Sequence, residues 1–76
     1  MTRTEAKILI RVTQSRDGEP SDSIVAMSVH GDWSTETISA FATRCADAVK
    51  SLIGLADAEV QYVVLDDDEA IAEGEV

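Results

Sequence analysis

The chain lacks the covalent and metal supports on which small domains often depend. It has 76 residues, one cysteine and one histidine, so no intramolecular disulfide can form and no zinc site built from Cys and His is possible. A chain of this length buries only about 60% of the surface that its unfolded state exposes. Association with a second copy is therefore the stabilising device that these absences favour.

Long apolar runs are scarce as well. The longest one near the start, residues 8–10, is shorter than the hydrophobic segment of a secretory signal, and no stretch is long enough to cross a bilayer. A single unpaired cysteine is typical of a reducing compartment. We therefore expect a cytoplasmic protein.

The last basic residue of the chain is Lys50. The net charge is −9, and residues 51–76 contain eight acidic residues and no Lys or Arg. Six of these carboxylates lie in residues 66–76. Because binding to nucleic acid or to an anionic membrane depends on clustered Lys and Arg, both are disfavoured. The expected partner is a protein with a basic surface.

Three strands and one helix are predicted. Apolar and β-branched residues predict strands over 7–14, 23–30 and 60–65. Ser34 as the N-cap and a stripe of apolar residues predict a helix over 34–53. The stripe consists of Ile38, Phe41, Cys45, Ala48, Val49 and Leu52. We therefore expect an α+β fold, β-β-α-β, in which a three-stranded mixed sheet of order 2-1-3 carries one helix on one face.

The segments between and after these elements are predicted to be irregular. Residues 15–22 are polar and are predicted to form a loop. The expected organisation is one domain over residues 1–65, followed by an acidic C-terminal tail over residues 66–76. The tail is either solvated or a short helix capped by Asp67 or Asp68.

A single helix would leave the other sheet face uncovered. That face would still show Leu9, Ile24 and either Val63 with Leu65 or Tyr62 with Val64. A sheet that is apolar on both faces needs a second covering layer. Homodimerisation through this face or through an edge strand is therefore expected.

The acidic run Asp66-Asp67-Asp68-Glu69 offers the oxygen ligands that Ca²⁺ and Mg²⁺ prefer. The spacing does not fit an EF-hand, because Ala70 and Ile71 stand where a ligand and a glycine are required. Consecutive carboxylates also diverge on a strand or a helix. No metal site and no other cofactor are predicted.

Catalysis is not predicted either. Cys45 falls within the helix stripe and is expected to be a buried apolar residue, and no spacing brings it to His30. Trp33 precedes the helix, where it is either a hydrophobic staple onto Ile38 or an anchor at an interface.

The function that these features favour is a small, acidic, non-enzymatic module that binds another protein. Its sharper form is an inhibitor or regulator that mimics nucleic acid towards a basic partner, for example a phage or mobile-element antagonist of a host nucleic-acid enzyme. The predicted partner-binding residues are Asp66, Asp67, Asp68, Glu69, Glu73 and Trp33. One alternative is a structural or assembly subunit that uses its apolar sheet face and keeps the tail for solubility only. The third candidate function is a small enzyme that works as an oligomer.

Overall fold

The structure, a computed structural model, describes residues 2–54 and 58–76. These residues form a small α+β fold with four strands and one helix. The elements are β1 (Thr2–Arg16), β2 (Glu19–Ser34), α1 (Thr35–Ile53), β3 (Glu59–Asp66) and β4 (Glu69–Glu75). Neighbouring strands are antiparallel throughout, in the order β2-β1-β3-β4. The predicted three-stranded mixed sheet is therefore wrong, as is the element order β-β-α-β, because a fourth strand follows β3.

The fourth strand is formed by the acidic segment. Asp67 and Asp68 have φ angles of 52° and 63°, and the residues on either side of them, Asp66 and Glu69, pair directly. Two successive left-handed residues make a hairpin turn whose twist matches that of the flanking strands. Aspartate is among the few residues other than glycine that adopt this conformation readily. The segment predicted as a solvated tail or short helix instead folds back as β4.

The first two strands are joined by a turn of the same kind. Asp17 and Gly18 have φ angles of 54° and 82°, and Arg16 pairs with Glu19 across them. An Asp-Gly pair is one of the strongest sequence signals for such a turn. The predicted loop over residues 15–22 is therefore wrong, since the chain reverses within two residues and both strands continue to the turn.

The helix is confirmed, and both of its ends are capped. The Ser34 hydroxyl oxygen accepts a hydrogen bond from the Thr37 N–H at 3.1 Å. Gly54 adopts a left-handed conformation, and its N–H donates to the Lys50 carbonyl oxygen at 3.3 Å. These contacts satisfy backbone groups that a helix terminus leaves without partners. Within the described residues, no helix combines the length and hydrophobicity that crossing a membrane requires.

The core lies between the helix and one face of the sheet. The largest fully buried side chains are Ile8, Ile10, Ile38, Val60 and Val64. Ala42 and Ala46 are also fully buried, so small side chains bring the helix close to the sheet. The predicted stripe is only partly right, because Phe41 is 38% exposed and Leu52 is 86% exposed. The buried line of the helix is thus displaced towards the two alanines.

Candidate functional site

The residues from Asp66 to Glu75 form one structural unit, which we call the acidic hairpin. Its tip carries Asp67 and Asp68, and β4 carries Glu69, Glu73 and Glu75. All five of these side chains are exposed, whereas Asp66 is partly buried. Within the part of the chain that the structure describes, none of the five exposed carboxylates forms an ion pair. Five negative charges are therefore presented to solvent without a counter-ion from the described chain.

Strand pairing determines where two of the glutamates lie. Glu73 is opposite Val63, and Glu75 is opposite Gln61. These partners belong to the sheet face that the helix does not cover, which we call the outer face. Alternate residues of a strand are about 7 Å apart and project to the same side. Glu73 and Glu75 therefore border the outer face along the β4 edge.

Two hydrogen bonds join residues next to the acidic hairpin to the helix. Tyr62 lies opposite Gly74 on β4, and its hydroxyl is hydrogen-bonded to the Thr43 hydroxyl of the helix at 3.0 Å. Beyond Glu75, the Lys50 ammonium donates to the Val76 carbonyl oxygen at 2.8 Å. The strand that carries the glutamates is therefore paired with β3 and followed by a residue, Val76, that is hydrogen-bonded to α1.

The outer face combines apolar residues with two bases. Lys7, Leu9 and Arg11 project from the central strand β1 on this face, and Leu9 is only partly buried. Arg11 is paired with Asp22 of β2 at 2.9 Å, with both side chains about half exposed. An exposed pair of this type contributes only about 0–1 kcal/mol. The face also has an open depression of about 630 Å³, bordered by Leu9, Val63 and Glu73.

Trp33 lies apart from the acidic hairpin. It is near the end of β2, which is separated from β4 by two strands. Its ring is 5.4 Å from that of Phe41 at an interplanar angle of 49°, and its indole N–H donates to the His30 carbonyl oxygen at 3.1 Å. The predicted partner-binding residues therefore do not form one site, because Trp33 and the carboxylates belong to opposite edges of the sheet.

The structure brings together neither the two residues considered for catalysis nor a set of metal ligands within the part of the chain that it describes. His30 is exposed on β2, and Cys45 is partly buried on the helix against the core. No hydrogen bond joins them in the described structure. Among the residues described, no group of three or more His, Cys, Asp and Glu side chains is arranged to hold a metal ion.

One residue of the acidic hairpin was missing from the predicted site. Glu75 borders the outer face beside Glu73, but a tail without regular structure offered no reason to group these two residues. The signal that could have found it is the pair Asp67-Asp68 between two segments that contain apolar residues, which is compatible with a two-residue hairpin turn.

Comparison of the chain with protein-family models, with curated proteins and with solved structures finds no match in any of the three. The geometry and charge of the acidic hairpin are therefore the basis on which a function can be argued.

Proposed function

We propose that this chain is a non-catalytic, cytoplasmic protein-binding module that presents its acidic hairpin to a basic surface of another protein. The observation that carries the proposal is the set of five exposed carboxylates that have no ion-pair partner among the described residues. Lys and Arg side chains of a partner would supply the missing counter-ions. Opposite charge would also steer the two proteins together and accelerate association.

The anchoring of the hairpin supports recognition over simple solubility. Carboxylates on a paired strand keep a regular spacing, while those on a disordered tail must first be ordered by the partner. Fixing the binding groups in advance reduces the entropy lost on association. A dense group of exposed carboxylates also resembles a polyanion in its charge. More specifically, the chain would be an inhibitor or regulator that competes with nucleic acid for a basic channel.

A second candidate function is favoured by the outer face. Leu9, Val63 and Leu65 are only partly buried there, and Ile24 is 65% exposed. An apolar face without a covering layer is typical of interaction surfaces. In this case the chain would be a structural or assembly subunit, and the acidic hairpin would serve solubility.

The first candidate is tested by comparing two variants of equal net charge. Asp67→Asn/Asp68→Asn removes two charges from the acidic hairpin and keeps residues that tolerate its turn. Asp17→Asn/Asp47→Asn removes two exposed charges elsewhere. The probe is a fluorescent peptide of about ten arginines, with a single-stranded oligonucleotide as competitor at matched ionic strength.

If the acidic hairpin is the binding site, its variant should bind the peptide up to about thirtyfold more weakly than the matched variant, because two pairs are lost and each contributes at most about 1 kcal/mol. The oligonucleotide should release the chain from the peptide, and added salt should weaken binding. Equal affinities of the two variants would show that overall charge alone attracts the peptide. That result would favour the assembly subunit.

A further inference from the structure

The two edges of the sheet differ in their protection against pairing with another strand. β4 is a seven-residue strand with exposed glutamates at Glu69, Glu73 and Glu75. Charge and shortness are the usual means by which proteins block an edge. β2 is a sixteen-residue strand, and residues 23–29 contain no charge, proline or glycine. The central part of β2 therefore has none of the devices that protect β4.

The turn before β2 determines which of its residues direct their backbone N–H and C=O groups away from the sheet. Arg16 and Glu19 flank a two-residue turn and pair, which makes them a hydrogen-bonded pair of the antiparallel ladder. Every second residue of β2 therefore bonds to β1, and the residues between them direct N–H and C=O groups away from the sheet. These outward-directed residues are Pro20, Asp22, Ile24, Ala26, Ser28 and His30.

Both ends of this row are blocked, but its middle is open. Pro20 has no N–H to donate. At the other end the Trp33 indole already donates to the outward carbonyl oxygen of His30, and the register shifts beyond it, where Gly31 has a φ angle of 121°. The N–H and C=O groups from Asp22 to Ser28 lie between these blocks. The side chains around them are exposed as well, with Ile24 at 65% and Val25 at 43%.

From this edge we infer that a second copy of the chain pairs with β2, antiparallel, about a two-fold axis at Ala26. The sequence of β2 is complementary to itself in this register. Asp22 lies opposite His30 of the second copy, so a carboxylate faces an imidazole at each end of the contact. The Asp22 carboxylate already accepts a hydrogen bond from Arg11 of its own chain, and a carboxylate has capacity to accept a further one from an imidazole N–H. Moving the axis to Met27 would instead place Asp22 opposite Asp32, where like charges repel.

The same register covers the exposed apolar residues. Val25 lies opposite Met27 of the second copy on the helix side, and Ile24 lies opposite Ser28 on the outer face. Ile24, Ala26 and Ser28 together form about six hydrogen bonds across the axis, in the ladder pattern of an antiparallel pair. Because a two-fold contact uses the open edge of both copies and β4 is charged, growth stops at a dimer. This inference uses a different edge from the proposed function and does not rest on it.

The experiment uses the full chain and a matched pair of alanine substitutions. Ala26 and Ala70 are both exposed, both on edge strands and both on the outer face. Lysine at either position changes the net charge equally, but Ala26→Lys brings two ammonium groups together across the axis. Sedimentation velocity should show a dimer for the wild type and Ala70→Lys, with dimerisation at least about tenfold weaker for Ala26→Lys. Circular dichroism should show that all three are folded.

The register is tested by cross-linking in a Cys45→Ala background. Ala26→Cys places two thiols on the axis, where the paired Cα atoms are about 5.5 Å apart and within the range of a disulfide. Mild oxidation should link this variant into a covalent dimer. Ile24→Cys should not be linked, because the two copies of residue 24 lie about 13 Å apart along the strands in this register. Efficient linking through residue 24 would overturn the register.

Salt separates this inference from the proposed function. Two copies of charge −9 repel each other, so added NaCl should strengthen the β2 contact, whereas it should weaken peptide binding by the acidic hairpin. A wild-type chain that remains monomeric at about 100 μM in high salt would overturn the dimer. Equal dimerisation of Ala26→Lys and Ala70→Lys would also overturn it. Neither result depends on what the acidic hairpin binds.

Discussion

The ring of Tyr62 on β3 lies so close to Gly74 on β4 that a Cβ atom at position 74 would be 2.7 Å from the Tyr62 hydroxyl oxygen and 2.8 Å from two ring carbons. The two residues are directly opposite in the ladder. Glycine is therefore required at this position by the tyrosine. This contact places the ring between β4 and the helix, where its hydroxyl reaches Thr43, and it leaves Glu73 and Glu75 on the outer side of the strand.

Gly74→Ala should destabilise the fold by about 1–3 kcal/mol, because the added methyl group displaces a ring that is also held by a hydrogen bond. The measurement is urea denaturation followed by circular dichroism. In a Tyr62→Leu background the same substitution should have a smaller effect, since the obstructing ring is gone. Equal losses of stability in both backgrounds would contradict a direct steric role for Tyr62.

The buried line of the helix is tested by enlarging one alanine that lies on it and one that does not. Ala46 is fully buried against the sheet, whereas Ala48 is exposed. Ala46→Leu should lower the free energy of unfolding by about 1–3 kcal/mol because there is no space for the added atoms. Ala48→Leu should change it by less than about 0.5 kcal/mol. A larger effect at position 48, measured by thermal unfolding, would restore the predicted stripe.

Both hairpin turns should be more stable with glycine at a left-handed position. Gly18→Ala forces a side chain into the left-handed conformation and should destabilise the fold by about 1–2 kcal/mol. Asp68→Gly relieves a residue that already has a φ angle of 63° and should stabilise it by about 0.5 kcal/mol. Asp68→Asn is the control, because it removes the same charge and keeps a side chain. Both effects can be measured by chemical denaturation.

The helix could be predicted because its signals are local. Ser34 supplies the N-cap and Gly54 adopts the left-handed conformation that ends the helix, so neither depends on distant residues. Which side of the helix is buried depends on packing against the sheet and not on local signals. Phe41 and Leu52 are more apolar than Ala42 and Ala46, yet the small residues face the sheet because they allow a closer approach.

The fourth strand could not be predicted from charge and alternation. Val64 pairs with Ala72 and Leu65 pairs with Ala70, which leaves Ile71 as an extra residue. Such a bulge breaks the period of two by which a strand is recognised. The dense carboxylates also favoured a solvated tail. Pairing with β3 and the packing of Ile71 and Ala72 on the core are long-range effects that only the folded arrangement supplies.

Stability itself should depend on salt in a direction set by the charge balance. With a net charge of −9 and six carboxylates within residues 66–76, we expect repulsion within the folded chain to outweigh attractions such as the exposed pair between Arg11 and Asp22. Raising NaCl from about 0.01 M to about 1 M shortens the screening length from about 30 Å to about 3 Å. The melting temperature should therefore rise. NaCl is preferred to sulfate, which would strengthen apolar burial independently.

The source of this salt effect can be located with the hairpin variant. Asp67→Asn/Asp68→Asn removes two charges from the most crowded part of the chain, so its melting temperature should be higher at low salt and should rise less on adding NaCl. Asp17→Asn/Asp47→Asn, with the same net charge, should retain more of the rise. The scans are run in the Ala26→Lys background as well, because dimerisation also stabilises the folded state. A melting temperature that falls as salt is added would mean that attraction, not repulsion, dominates the charges of the folded chain.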